Sequence, residues 1–321
     1  IVSLSINLTL FGVAVVYLLL ASENLHQLVK NAGKDISFCI WILIIAAVLC
    51  PPSMLGTPSD MWLVAVGAIV STSAACIIIV ANAVMDSADA PPAHHPPLDA
   101  INSFMAFGTI CFAFGGHPIF LTLQADMKEP QKLGKALIFS YIILLVMYLP
   151  VAISGYVVYG DNAKDNILLN LSEGPMQYIV EILITLHLFF GFAIVVNPVC
   201  QEVEELVGIP THFTYKRAIS RSLLLVMVLF VAESIPQFGA ILSLIGGSTS
   251  TLLAFIFPPV FYFKLCSMKG NWEQITPPLL QKVSCLGIML AGLVAGVAAT
   301  YAAVDVLATS SFSTPCYVDF R

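Results

Sequence analysis

Residues 106–132 read AFGTICFAFGGHPIFLTLQADMKEPQK, an apolar run of helix length broken at its middle by Gly115, Gly116, His117 and Pro118. A membrane-crossing segment normally keeps an unbroken helical ladder, because lipid offers the backbone no hydrogen-bond partner. Two glycines followed by His-Pro free carbonyls and amides at about bilayer depth. Such groups are tolerated where protein buries them or where they line a cavity. A cavity at the midplane is where secondary transporters hold substrate. The bland reading of the same residues is a packing kink.

Composition sets the class. Hydrophobic residues make up 59% of the 321 positions and charged residues 10%, and the mean hydropathy is +0.93. A soluble domain of this size carries roughly 25% charge. The chain is therefore expected to be an all-α integral membrane protein whose fold is set by lipid. The net charge of −6 sits mostly in short loops, and the few, scattered lysines and arginines exclude a nucleic-acid footprint. Of the eight cysteines, Cys39, Cys50, Cys76, Cys111, Cys200, Cys266 and Cys285 lie in or beside apolar runs, and Cys316 lies in the tail. No close pair sits in a loop, so they read as small packing residues.

About 20 apolar residues cross a bilayer as a helix. Runs 1–22, 36–51, 61–85, 101–125, 136–160, 176–200, 218–233, 237–264 and 283–308 meet or approach that length, which predicts nine spans. The second and seventh are short; Pro51-Pro52 ends one and Pro236 follows the other. Lys128, Lys132, Lys135, Lys216, Arg217, Arg221, Lys264, Lys269 and Lys282 fall on one side, and only Lys30, Lys34, Lys164 and Arg321 on the other. The positive-rich side is cytosolic by the charge rule. The sequon Asn170-Leu171-Ser172 lies in the loop 161–175, on the outer side, which makes Asn170 a glycosylation candidate. Asn7-Leu8-Thr9 matches too but sits inside a span. The chain starts at Ile1 inside an apolar segment, and with an odd span count this predicts an incomplete N-terminus.

The segment 107–130, FGTICFAFGGHPIFLTLQADMKEP, resembles the sixth-span motif of the amino acid/auxin permease family. That family includes vesicular inhibitory amino acid carriers, proton-coupled amino acid transporters and plant amino acid permeases. GFAIVVNPVCQEVEE at 191–205 is similar to the end of the eighth span, and 156–160 with 166–170 to the seventh span and its loop. Residues 243–247 with Phe257-Pro258-Pro259 resemble the tenth. The resemblance implies a leucine-transporter-like, APC-type inverted-repeat fold of eleven helices. The nine spans would then be the third to eleventh of a single transmembrane domain over 1–321. The first two spans, one of them the other broken helix, would be absent.

What the resemblance implies for function is a secondary transporter of small neutral amino acids. It would work by alternating access and couple to protons rather than sodium. The alternative is a sensor that binds an amino acid in the same pocket without turnover. Neither reading needs an enzyme's catalytic constellation, a cofactor or a metal. In this architecture the substrate sits between the broken helices, against spans three and eight. Gly115 and Gly116 would expose backbone to it, since glycine reaches unusual backbone angles and permits close approach. Phe112 and Phe114 could wall a side-chain pocket, or simply pack. His117 is the titratable group at the break, either a proton carrier or a cap on freed carbonyls.

In the eighth family span, Thr185, His187 and Phe189 fall near mid-depth, and Glu181 lies closer to the outer boundary. An ionisable group left charged at the bilayer centre costs about 2.5–3.5 kcal/mol, so His187 and Glu181 are proton-coupling candidates, although Glu181 could simply snorkel. Six residues advance about 600° around a helix, which argues against a direct relay between the two. Asn197-Pro198 is expected to interrupt this span, with Asn197 a candidate for an ion or for the break. The run GFAIVVNP lacks the hydroxyl pair that helps hold the ion in sodium-coupled relatives. Tyr17 on the first span is a substrate candidate or an interface anchor. Glu202, Glu204 and Glu205 read as a solvated face, and His94-His95 in the Pro-rich linker 86–100 makes a poor metal site. The membrane would be the plasma membrane or an endolysosomal, vacuolar or vesicular one.

Overall fold

Runs of branched and aromatic apolar residues, interrupted by Pro and Gly, become helices throughout. The computed structural model describes residues 1–54, 62–88, 92–210, 212, 214–235, 237–270, 274, 276–309 and 315–318. Residue 61 of the third expected run, residues 89–91 of the linker, Pro236 and Arg321 lie outside the described residues. In chain order the helices are α1 (Val2–Asn31), α2 (Phe38–Ser53), α3 (Trp62–Asp86), α4 (Ala100–Ala113), α5 (Phe120–Asp126) and α6 (Leu133–Tyr159). They continue with α7 (Pro175–Leu206), α8 (Tyr215–Ser234), α9 (Phe238–Ile245), α10 (Phe257–Ser267) and α11 (Leu279–Thr309). No strand occurs among the described residues.

Seven helical stretches among the described residues are long and apolar enough to cross a bilayer: Val2–Asn31, Ala65–Asp86, Ala100–Ala125, Pro130–Asn162, Pro175–Leu206, Phe238–Ser267 and Leu279–Thr309. The other two of the nine expected spans are helices that fall short of that test. α2 has 16 residues, too few for an upright crossing. α8 has 20, but Lys216, Arg217, Arg221 and Glu233 lower its apolar character. Large apolar residues stand exposed along the long helices, among them Ile138, Phe139, Ile143, Val146 and Val157 on α6. Large apolar residues facing outward on helix after helix identify an integral, multi-pass membrane protein.

The chain divides into two compact units. The larger comprises 13–97, 126–238 and 312–321. Within it α3 packs along α7 and α6, and α2 lies against α7 and α8. Ala75 and Ile79 of α3 meet Val180 of α7 together with Leu168 and Leu171 of the preceding loop. At one end of this unit Glu204 is buried and paired with two buried arginines. Its carboxylate accepts from Arg221 Nε at 2.6 Å and Arg217 Nε at 3.2 Å. Arg221 Nη1 also donates to the Ser53 carbonyl at 2.8 Å, so one cluster ties α7, α8 and the end of α2. This corrects the solvated-face reading for Glu204; Glu205 is exposed and Glu202 half-buried. Three glutamates in four residues look alike in sequence, and only the arginines of another helix single out the middle one.

The loops at the other end are also bonded. Asn166 Nδ2 donates to Glu23 and Asn24 of α1 at 2.9 and 3.0 Å. Tyr159 donates to Asp86 at 2.7 Å. His94 bonds Asp161 at 2.9 Å, while the His95 ring lies tilted against Tyr156 with ring centres 4.6 Å apart. The two histidines thus take different partners. Cys39 and Cys316 form a disulfide, which corrects their reading as packing residues. Spacing gave no sign of it, because the partners stand 277 positions apart.

The smaller unit comprises 1–12, 98–125 and 239–311. α9 runs into two π-helical turns, Gly246–Ser250 and Leu252–Ile256, before α10. α4 presses on this stretch backbone to backbone. A Cβ on Gly108 would lie 2.5 Å from the Ser243 carbonyl, and one on Gly246 would overlap the Gly108 carbonyl. On the other flank, Gly292 and Gly296 of α11 admit Phe255 and Thr251, the small-residue spacing that lets helices approach closely in lipid.

Candidate functional site

The break lies where the sequence puts it. α4 ends at Ala113, Phe114 caps it, and the chain resumes as a 3₁₀ turn over His117–Ile119 that leads into α5. Pro118 sits in the first positions of that turn, where a missing N–H costs nothing. The Gly115 amide donates to the Phe112 carbonyl at 2.9 Å and the Gly116 amide to the Phe114 carbonyl at 3.0 Å, so the unwound chain curls tightly. Close approach, not unusual torsion, is what requires glycine here. A Cβ on Gly115 would sit 2.9 Å from the Phe112 oxygen, and one on Gly116 3.0 Å from the Phe120 ring. Positive φ occurs among the described residues only at Gly33, Gly160 and Gly208.

Around the break, Phe112 packs its Cβ toward Gly246, and the His117 ring lies 5.0 Å from that of Phe120. Phe114 and His117 are half-buried. One turn below, Thr109 and Ser243 hydroxyls meet at 3.0 Å. Thr9 of α1 and Thr249 of the first π turn meet at 2.7 Å. The break thus faces a second irregular helix edged with hydroxyls. Sequence reading took residues 243–247 as a family signature and missed the departure from α-helix that starts at Gly246; the run GGSTS was the available signal.

In the larger unit Tyr17 and His187 come together, with ring centres 6.3 Å apart. Gly191, one turn beyond His187, makes room for Tyr17, whose ring would stand 2.7 Å from a Cβ there. Thr72 of α3, which sequence reading passed over, completes the group: its Oγ1 lies 2.6 Å from His187 Nδ1 and donates to the Ala68 carbonyl at 2.8 Å. Since the Thr72 proton is committed to that carbonyl, its lone pair receives Nδ1–H. This assigns the tautomer and leaves Nε2 as the basic atom. Thr185 and Phe189, two residues either side of His187, project from the opposite face of α7. The Thr185 hydroxyl is buried with no partner among the described residues.

Glu181 does not snorkel. It is 1% exposed; Oε1 accepts from Gln177 at 3.0 Å, and Oε2 has no partner among the described residues. α7 continues unbroken through Pro198, so the expected interruption at Asn197-Pro198 is absent. One proline removes a single ladder bond, and the helix continues past it. Asn197 is 1% exposed with neither amide atom partnered among the described residues. Asn170 closes its loop: Oδ1 accepts from the Lys164 amide at 2.8 Å, and Nδ2 donates to the Asn162 carbonyl at 2.9 Å.

The mid-span break by itself fits several kinds of membrane protein, and comparison with known proteins decides the family. The profile described as "Transmembrane amino acid transporter protein" matches residues 1–302. The chain belongs to this family. Among similar members of the transmembrane amino acid transporter family is amino acid transporter AVT3B of Arabidopsis thaliana, 30% identical over 201 residues, or 63% of this chain and 46% of that protein. AVT1B of the same plant is 26% identical over 313 residues, covering 94% of this chain and 56% of its own. AVT1E is 25% identical over 313 residues, 94% of this chain and 58% of its own. The chain spans about half the length of these curated relatives. The family is one of transporters rather than enzymes.

Proposed function

We propose that the protein carries small neutral amino acids across its membrane by alternating access, coupled to protons. The proposed frame is the leucine-transporter-like inverted repeat, with this chain supplying family spans three to eleven of one transmembrane domain. The observation that carries the reading is the helix break at 114–116 in the middle of a span. In that role the backbone at Gly115 and Gly116 binds the substrate's charged ends, as half-helix termini and unwound carbonyls do. Phe112, Phe114 and His117 edge the same break. Tyr17 is the proposed substrate contact of the larger unit, and Thr185 and Phe189 stay candidates on the other face of α7. The relatives, named as amino acid transporters, favour a carrier over a sensor.

His187 is the proposed proton carrier, because its network leaves Nε2 open to protonation. Glu181 is a second buried candidate, and His117 a third. Asn197, with an unsatisfied amide, is the proposed polar contact for an ion or a water. The membrane is a plasma, vacuolar, endolysosomal or vesicular one.

The test is labelled amino acid uptake by full-length protein in liposomes under a pH gradient, with and without sodium. Accumulation on the pH gradient alone is expected, with a loss of ~10²-fold in His187→Gln, the low end of what a positioned proton-transfer group contributes. Accumulation that follows sodium with pH held flat overturns proton coupling.

Orientation has its own test. The outer loop should carry a glycan on Asn170 when the protein is made in a glycosylating cell. Ser172→Ala removes the sequon but spares both Asn170 hydrogen bonds, and it should abolish the endoglycosidase-sensitive mobility shift. A shift that survives Ser172→Ala removes the assignment.

A further inference from the structure

Apart from the break and the His187 group, the larger unit contains a cavity of about 190 Å³ lined by Leu19, Glu23 and His26 of α1, Phe38 of α2, and Phe238. Glu23 lies six residues past Tyr17 on α1, about 9 Å along the helix axis at 1.5 Å per residue. The polar lining is all of one kind. Glu23 Oε2 is held by Asn166 Nδ2 at 2.9 Å, which fixes the carboxylate at the cavity wall. Asn166 is itself buried and anchored, since its Oδ1 accepts from the Leu168 amide at 3.2 Å.

His26 Nδ1 lies 2.8 Å from the Ile36 carbonyl. A carbonyl only accepts, so Nδ1 carries the hydrogen and the neutral ring keeps Nε2 as an acceptor. The His26 ring meets Phe38 edge-on at 6.2 Å. Two phenyl rings, a carboxylate and an imidazole acceptor present negative charge or negative ring faces, with no donor among these five side chains except the hydrogen already given to Ile36. Asp165, His26 and Lys164 also interact electrostatically with Glu23. An anion or a neutral donor-poor ligand has nothing to bond here, whereas a cation finds a fixed carboxylate and two aromatic rings in the same lining.

We propose that Glu23, His26, Phe38 and Phe238 form a binding site for a small organic ammonium group, separate from the helix break. The cation preference stands on the lining alone; naming the α-ammonium of an amino acid as its natural source rests on the carrier reading above. The volume accommodates a small amino acid. In a carrier, such a site would collect substrate by its ammonium end before the backbone at the break takes over.

Saturation-transfer NMR of ethylammonium with the full-length protein in nanodiscs tests this directly. Ethylammonium should bind, and N-acetylalanine, which has no ammonium, should not. Glu23→Gln keeps an oxygen for Asn166 Nδ2, so the fold is retained, and it should weaken ethylammonium at least ~10-fold as a charge-assisted bond is lost. Phe38→Leu keeps apolar bulk but removes a ring face and should weaken it ~2–5-fold. Alanine displacing ethylammonium assigns the site to amino acids; ethylammonium binding that alanine does not displace assigns it to free amines. Equal binding in wild type and Glu23→Gln, or binding of N-acetylalanine, overturns the proposal. Since binding is read without transport, a protein that binds ethylammonium yet accumulates no amino acid would refute the carrier reading alone.

Discussion

Glu204→Ala should destabilise the protein by about 3–5 kcal/mol, because it removes the carboxylate that balances Arg217 and Arg221 in a nearly dry site. Removing one member of a buried ion cluster leaves uncompensated charge, and that penalty exceeds the net worth of the intact cluster. Thermal melting in detergent and the yield of folded protein read the effect. The triple variant Glu204→Leu, Arg217→Leu, Arg221→Met should recover most of the loss, since apolar residues of similar volume replace buried ion pairs at little cost. It would still lack the Arg221 bond to the Ser53 carbonyl, so some deficit should remain. A single variant melting within about 1 kcal/mol of wild type, the usual range for solvated pairs, would return Glu204 to the solvated face that the sequence suggested.

Gly246→Val is expected to abolish uptake, by ~10-fold or more, and to cost about 2–3 kcal/mol through overpacking. The added carbon would overlap the Gly108 carbonyl, and Gly108 in turn sits against the Ser243 carbonyl. Both neighbours are backbone, so no side chain can swing away. α4 would have to part from the π-helical stretch, moving the lower half of the broken helix. Gly287→Val is the control, because a Cβ there meets nothing within 4 Å and should leave melting and uptake unchanged. Uptake that survives Gly246→Val would mean that the approach of α4 to the π turns is not needed for transport.

The parts of the fold legible in sequence were those written locally. A run of apolar residues some twenty long declares a span, and Gly-Gly-His-Pro declares a break, because each is decided by the residue and its immediate neighbours. Tyr17 and His187 were chosen from the resemblance, and the structure brings them together; Thr72, which holds His187 in one tautomer, carried no signal of its own in a long apolar helix. Glu204 was misjudged for the same reason, and for Glu181 the structure decides only against snorkelling. Whether a carboxylate in or beside a span reaches solvent depends on what packs over it, and two arginines of another helix cannot be read from its own position. Asn197-Pro198 erred the other way: a local breaker was overridden by the packing of a 32-residue helix. The disulfide is the extreme case, since its partners share no neighbourhood in the chain.

That bond also makes most of the molecule a covalent ring. From Cys39 to Cys316 the backbone leaves α2, runs through every later helix and returns to its start. A single protease cut in any loop between them opens the ring but releases no fragment, so both pieces stay tethered until a reductant acts. The ring can close only once the tail has been synthesised and has reached the same side of the membrane as Cys39. Covalent maturation therefore waits on the synthesis of Cys316, and a chain stalled before that position leaves Cys39 as a free thiol.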